Sequence, residues 1–301
     1  MTVQIISRKS ANFSFAVIFL LASIAPAYAQ DDLKVRMGKI GRGPKASKLT
    51  EQEIEDQHLK LQEQFKSPKE MGRIYAHLSY SLASRTDRPN GDKIIKYAER
   101  ALQQPLDVTE AVQANMLLGE GFNFKNRDAI GKAWTNSRKE IVTPYLRGLK
   151  IALDNLTERE RKPAPGVNPY VCGGGEGCQK LEERYNKEVA EHARIDSQNE
   201  LIDARDALIR NCIATYVARR KNAEPPDVAE LERLAKKILS PTHDDVAQQI
   251  ISEASKIIAD REEREKMQRE ATKREQSTMP KSTRDAPKHI KQANPRTEAP
   301  H

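Results

Sequence analysis

The sequence predicts an all-α fold built of antiparallel helix pairs, and three observations carry that reading. Apolar residues recur at spacings of three and four over most of the chain. Capping patterns and prolines punctuate it at close intervals. No stretch shows sustained period-two alternation, and Asn90-Gly91 lies between two helical patterns, not between β-branched runs. With 38% hydrophobic, 5% aromatic and 31% charged residues among 301, the composition suits amphipathic helices with solvated outer faces.

The first segment is read as a targeting signal, residues 1–29. Arg8 and Lys9 precede the apolar run Phe13 to Ile24, and Ala27-Tyr28-Ala29 supplies a small-x-small cleavage pattern that leaves Gln30 first. The run is shorter than the roughly 20 residues needed to span a bilayer, and no other stretch is apolar enough to do so. No cysteine stands at the cleavage point after Ala29, so no lipid anchor is implied. The expectation is an exported protein, periplasmic or secreted, folding where thiols oxidise. Residues 30–49, rich in glycine and lysine, read as a flexible lead-in.

Residues 50–158 form a helical region. Thr50 with Glu53 and Ser67 with Glu70 are capping boxes, in which hydroxyl and carboxylate satisfy the free amides of a helix start; Pro68 takes a first-turn position where its missing donor costs nothing. The first helix runs to about Phe65, and Ile74, Leu78 and Leu82 form the stripe of the second. Asp92 is read as the cap of a third, with Ile94, Ile95, Ala98, Ala101 and Leu102 on one face and Pro105 beyond its end. Asp107 and Glu110 open a helix carrying Val112, Met116, Leu117 and Leu118. Ala129 to Val142, with Trp134, and a segment opened by Thr143-Pro144, with Leu146, Leu149 and Leu153, read as two more.

Within this region Tyr75, Leu78, Ser79 and Leu82, followed by Ile94, Ala98, Ala101, Leu102 and Pro105, resemble a tetratricopeptide repeat. Asn115, Leu118, Gly119 and Phe122, with Tyr145, Gly148 and Leu149, resemble a second, degenerate unit. The resemblance covers residues 68 to 157. It implies either a tetratricopeptide-like solenoid or a helical bundle of similar pairs, and a protein or peptide partner held on the stacked helices. The equivalent positions Ser79 and Gly119 lie farther apart than the family's ~34 residues, so the connections carry insertions.

Residues 159–178 are a basic, proline-rich break followed by the loop Cys172-Gly-Gly-Gly-Glu-Gly-Cys178. A second helical region, 179–260, holds a charged helix to about Ile195 with Leu181, Tyr185 and Val189 as its stripe. Ser197 and Glu200 read as a new capping box leading into Leu201, Leu208, Cys212 and Tyr216; Val228 to Leu239 and His243 to Ile258 follow. In 261–301, residues Arg261 to Arg274 extend the last helix through charge pairs, and the polar, proline-bearing remainder from Ser277 reads as disordered.

The cysteine loop is assigned by elimination. It lacks the Gly-Lys-Ser or Gly-Lys-Thr of a phosphate-binding loop, and five residues, not two, separate its cysteines. Cys172, Cys178, Cys212 and His192 show no zinc spacing, so no metal is expected. A disulfide between Cys172 and Cys178 is the expectation, worth about 2 kcal/mol in a loop this short. Cys212, spaced by four from Leu208 and Tyr216, reads as a buried thiol, with pairing to a loop cysteine as the other connectivity.

The six histidines stand in no catalytic motif and no cofactor signature occurs, so the expectation is a non-enzymatic binding scaffold. The net charge of +8 is spread among interleaved acids, unlike the concentrated basic stripe of a nucleic-acid binder. The alternative is a structural envelope protein whose basic tail meets an anionic polymer or membrane face.

Overall fold

The computed structural model describes residues 32–40, 49–85, 89–158, 160–167, 177–220 and 222–278. Among the described residues there are nine α-helices and no strand: α1 (Asp32–Ile40), α2 (Glu51–Gln64), α3 (Pro68–Ala83), α4 (Gly91–Leu102), α5 (Val108–Lys125), α6 (Gly131–Asn155), α7 (Cys178–Val217), α8 (Val228–Leu239) and α9 (Asp244–Thr278). Consecutive helices from α1 to α7 pack as antiparallel neighbours, apart from those separated by the long break before α7, where α6 and α7 still pack together. Alternate helices also touch: α1 with α3, α3 with α5, α5 with α7, and α6 with α8.

Local chemistry sets the helix starts. Thr50 and Ser67 accept from the backbone of Glu53 and Glu70, whose carboxylates return the bond, so both capping boxes form as read. The start of α4 differs. Asn90 is its cap, accepting from the Lys93 amide at 3.2 Å, and Asp92 sits within the first turn, where a carboxylate still favours the helix dipole.

Three segments depart from the sequence reading. Leu33 and Met37 of α1 lie buried against Leu61 and Ile74, so residues 30–49 include a packed helix; its i,i+4 apolar pair was diluted by the surrounding lysines and glycines. The two segments meeting at Thr143-Pro144 are one helix, with Pro144 inside α6. Proline there removes the bond to the Glu140 carbonyl, a cost of about 3 kcal/mol, but Ile141, Val142, Leu146 and Leu149 are all 0% exposed and their burial outweighs it. Likewise α7 runs unbroken through Ser197 and Glu200. With no glycine or proline between Cys178 and Val217, nothing forces the extended backbone a cap requires.

The core runs through the helix pairs. Ile54, Leu78, Leu82, Ile94 and Tyr97 join α2, α3 and α4, and Ala98 with Leu117 and Leu118 continues it between α4 and α5. Close approach at the α4–α5 crossing depends on Gly91: a Cβ there would lie 2.6 Å from the Gly121 carbonyl oxygen. Ser79 adds a similar fit, its hydroxyl donating to the Ile94 carbonyl at 3.0 Å. Farther along, the buried Arg138 of α6 donates to the Glu224 carbonyl at 3.2 Å, and Arg220 covers the Trp134 ring at 4.5 Å, which fixes the α7–α8 connection on α6.

Residues up to Ser255 form one compact unit and those from Lys256 onward a second. The described part of the second is the remainder of α9, charged and largely exposed, reaching Thr278. The disordered tail read from Ser277 therefore begins inside a helix by two residues, and its remainder lies outside the described residues. No helix among the described residues is long and apolar enough to cross a membrane.

Candidate functional site

The middle of α5 reads Gly119-Glu120-Gly121, an acid between two residues without side chains. The space over Gly119 is filled by Tyr145 of α6: a Cβ on Gly119 would stand 2.3 Å from Tyr145 Cε1. The ring thus lies against the α5 backbone, 2% exposed, and its hydroxyl hydrogen-bonds the Glu120 carboxylate. Burial pushes the Glu120 carboxyl up to about 7 against the opposing pull of that hydrogen bond. Glu120 retains partial exposure. Gln113 and Asn123, also partly exposed, share its face at helical spacing.

Cys212 of α7 lies close enough to act on the Tyr145 hydroxyl electrostatically. It is free and 0% exposed, and burial pushes its thiol far above the usual range, so it is inert as a nucleophile. Glu120 therefore has a hydrogen-bonding neighbour but no activated nucleophile beside it. The arrangement is suited to anchoring a polar or charged group, with a proton exchangeable near neutrality.

Along α7 a second arrangement engages the backbone of the preceding segment. Residues 161–167 adopt no regular secondary structure. Asn199, 8% exposed, accepts from the Lys162 amide at 3.0 Å and donates to the Lys162 carbonyl at 2.7 Å. Gln198 beside it accepts from the Thr157 amide at 2.8 Å and donates to the Asn155 carbonyl at 3.2 Å. Two neighbouring amide side chains thus read backbone, not side chains. Arg161 adds an ion pair to Asp203 at 3.4 Å.

Of the residues singled out from the sequence, Ala29 and Cys172 lie outside the described residues. Cys178 is the first residue of α7 and Cys212 lies 34 positions later on the same helix, about 50 Å along its axis. That distance removes both the Cys212 pairing and the zinc set with His192, whose Nδ1 instead meets Asp196 at 3.1 Å. Among the described residues no three His, Cys, Asp or Glu side chains gather as metal ligands do. Sequence reasoning missed Glu120, Asn199 and a contact between His58 and His77. The bracketing glycines of Glu120 were its one local signal.

Compared with known proteins, the chain matches no family model, no curated protein and no solved structure.

Proposed function

We propose that this chain is an exported, non-enzymatic scaffold of the tetratricopeptide-like type that holds an extended segment of a protein or peptide partner on its stacked helices. The observation that carries the reading is the grip of Gln198 and Asn199 on the backbone of Asn155, Thr157 and Lys162. The helix array already holds non-helical chain, its own, at Thr157 and Lys162 through main-chain groups that any partner also has. Contacts between alternate helices support it, since they make α1, α3, α5 and α7 one continuous layer on which successive side chains can engage a ligand. Partly exposed Gln113, Glu120 and Asn123 supply polar groups on that layer. Cys172 and Cys178 close a disulfide ring at the start of α7, consistent with an oxidising compartment.

In-cell photo-crosslinking from position 113 or 123 of the tagged chain, followed by mass spectrometry, tests the reading. One reproducible partner captured from both positions is the expected result. Crosslinks formed only from positions in 261–278, and only to abundant envelope material, would replace the scaffold with a structural role held by the basic tail.

A further inference from the structure

His58 of α2 is fully buried at 0% exposure. Its Nδ1 lies 2.7 Å from the Ile54 carbonyl oxygen, which can only accept, so Nδ1 carries a proton. In the neutral ring Nε2 is then an acceptor, and it meets Nδ1 of His77 on α3 at 2.9 Å. The His77 Nδ1–H must therefore donate, and one proton joins the two helices. The ring centroids are 5.2 Å apart.

On α3 the Ser81 hydroxyl donates to the His77 carbonyl at 2.9 Å and lies 3.5 Å from His77 Nδ1, and the Tyr80 ring lies 6.3 Å from the His77 ring. Beyond α2, Lys93 and Tyr97 of α4 are held by Glu55, with Lys93 also 3.3 Å from Glu51. The α1 helix carries Asp32, Lys34, Arg36 and Lys39, of which Arg36 pairs with Asp32 and bonds Gln64. Among the described residues no charged side chain acts on the His58 ring; burial disfavours its charged form, and only the Ile54 carbonyl opposes.

We propose that the His58–His77 pair is an acid-operated latch that fastens α2 to α3 and releases it as pH falls. A first proton leaves the shared bond in place whichever ring carries it, because a neutral His77 can hold its proton on Nε2 and accept at Nδ1 from a charged His58. A second proton sets donor against donor and charge against charge 2.9 Å apart, and the proton taken at His58 Nε2 beside a charged His77 is therefore the one that releases the helices. Opening would uncover Ile54 from Leu78, Leu82 and Ile94, and Leu61 from Leu33, Met37 and Ile74. The sign follows from linkage: a histidine held neutral by the fold contributes stability that is complete above its ordinary value near 6.5. That contribution is lost about tenfold per pH unit below it, until the native ring itself protonates.

Hydrogen exchange of the full chain at pH 7.5 and 5.5, with exchange times scaled for intrinsic chemistry, reads the latch directly. Residues 51–64 should lose about tenfold more protection than α8 on acidification. His58→Gln and His77→Gln, each leaving only one ring to take a proton, should both abolish that excess. Equal losses in α2 and α8 of the wild-type protein overturn the proposal without any variant. So does an excess that survives in His58→Gln. Titration of the imidazole nitrogens by NMR covers the case in which His58→Gln fails to fold: the expected result is protonation of His58 coincident with α2 exchange. Protonation with α2 still protected would overturn the latch.

Discussion

The Tyr97 hydroxyl on α4 donates a 2.7 Å hydrogen bond to the Glu55 carboxylate on α2, joining helices that are not consecutive in the chain. Lys93 reaches the same carboxylate at 2.8 Å. Burial would raise Glu55, but the Lys93 and Tyr97 bonds outweigh it and hold the carboxyl below the usual range, while burial and Glu55 push Tyr97 up to about 12. Tyr97→Phe keeps the packing and removes the bond. It should cost about 1.5–3 kcal/mol in urea unfolding at pH 7. Because the native carboxyl is lowered, the Glu55 contribution is present above its ordinary value near 4.5 and fades as pH falls below it. The cost of Tyr97→Phe should therefore shrink at pH 3.

Glu120 works with the opposite sign. Its native carboxyl titrates near 7, above the usual 4.5, so the stability it lends is present below 4.5 and is lost as pH rises from 4.5 to about 7. Glu120→Gln, whose amide oxygen can still accept from Tyr145, should be more stable than wild type at pH 8, by up to about 3 kcal/mol. The two proteins should be equal at pH 4.5. Urea midpoints at both pH values test this.

Gly119→Ala should unseat the Tyr145 ring, since the added Cβ would overlap Cε1. Overpacking of this kind costs about 1–3 kcal/mol. The telling measurement is the Glu120 titration by carboxyl NMR, which should move toward the usual value as the ring is displaced. An unchanged midpoint would mean that Tyr145 does not govern the environment of Glu120.

Asn199→Ala strands a backbone amide and a carbonyl of Lys162. The expected loss is about 1–2 kcal/mol, concentrated locally. Limited proteolysis should cut residues 160–167 faster in this variant while the α3–α6 helices stay resistant.

The thiols should separate by accessibility. Under native, non-reducing conditions Cys212 should resist alkylation and become reactive only on unfolding, since it is fully buried. Peptide mapping of unreduced protein should find Cys172 joined to Cys178. A bond to Cys212 would contradict the 34-position separation along α7.

Helix starts were legible where the capping box was genuine. Thr50 and Ser67 each stand just before a helix, and Leu78, Leu149 and Leu208 are buried on the faces their spacing assigned. Interruptions were harder to read. Pro144 and the Ser197-to-Glu200 pattern look like boundaries when only neighbours in sequence are weighed, and tertiary burial overrode the first while uninterrupted helix formers overrode the second. The candidate site was least legible of all. Glu120 with Tyr145, Asn199 with Lys162 and His58 with His77 lie 25, 37 and 19 positions apart, and each owes its chemistry to burial that no local pattern encodes.

The length of α7 has a mechanical consequence. Its first buried residue is Asn199, so the 21 positions before it run about 30 Å along the helix axis with every side chain at least partly wetted. Where the helix enters the core it is fastened by the Asn199 bonds to the Lys162 backbone and by Arg194 against Glu158 at 3.7 Å. A load on the wetted stretch would reach the helix layer through those contacts, as torque about Asn199.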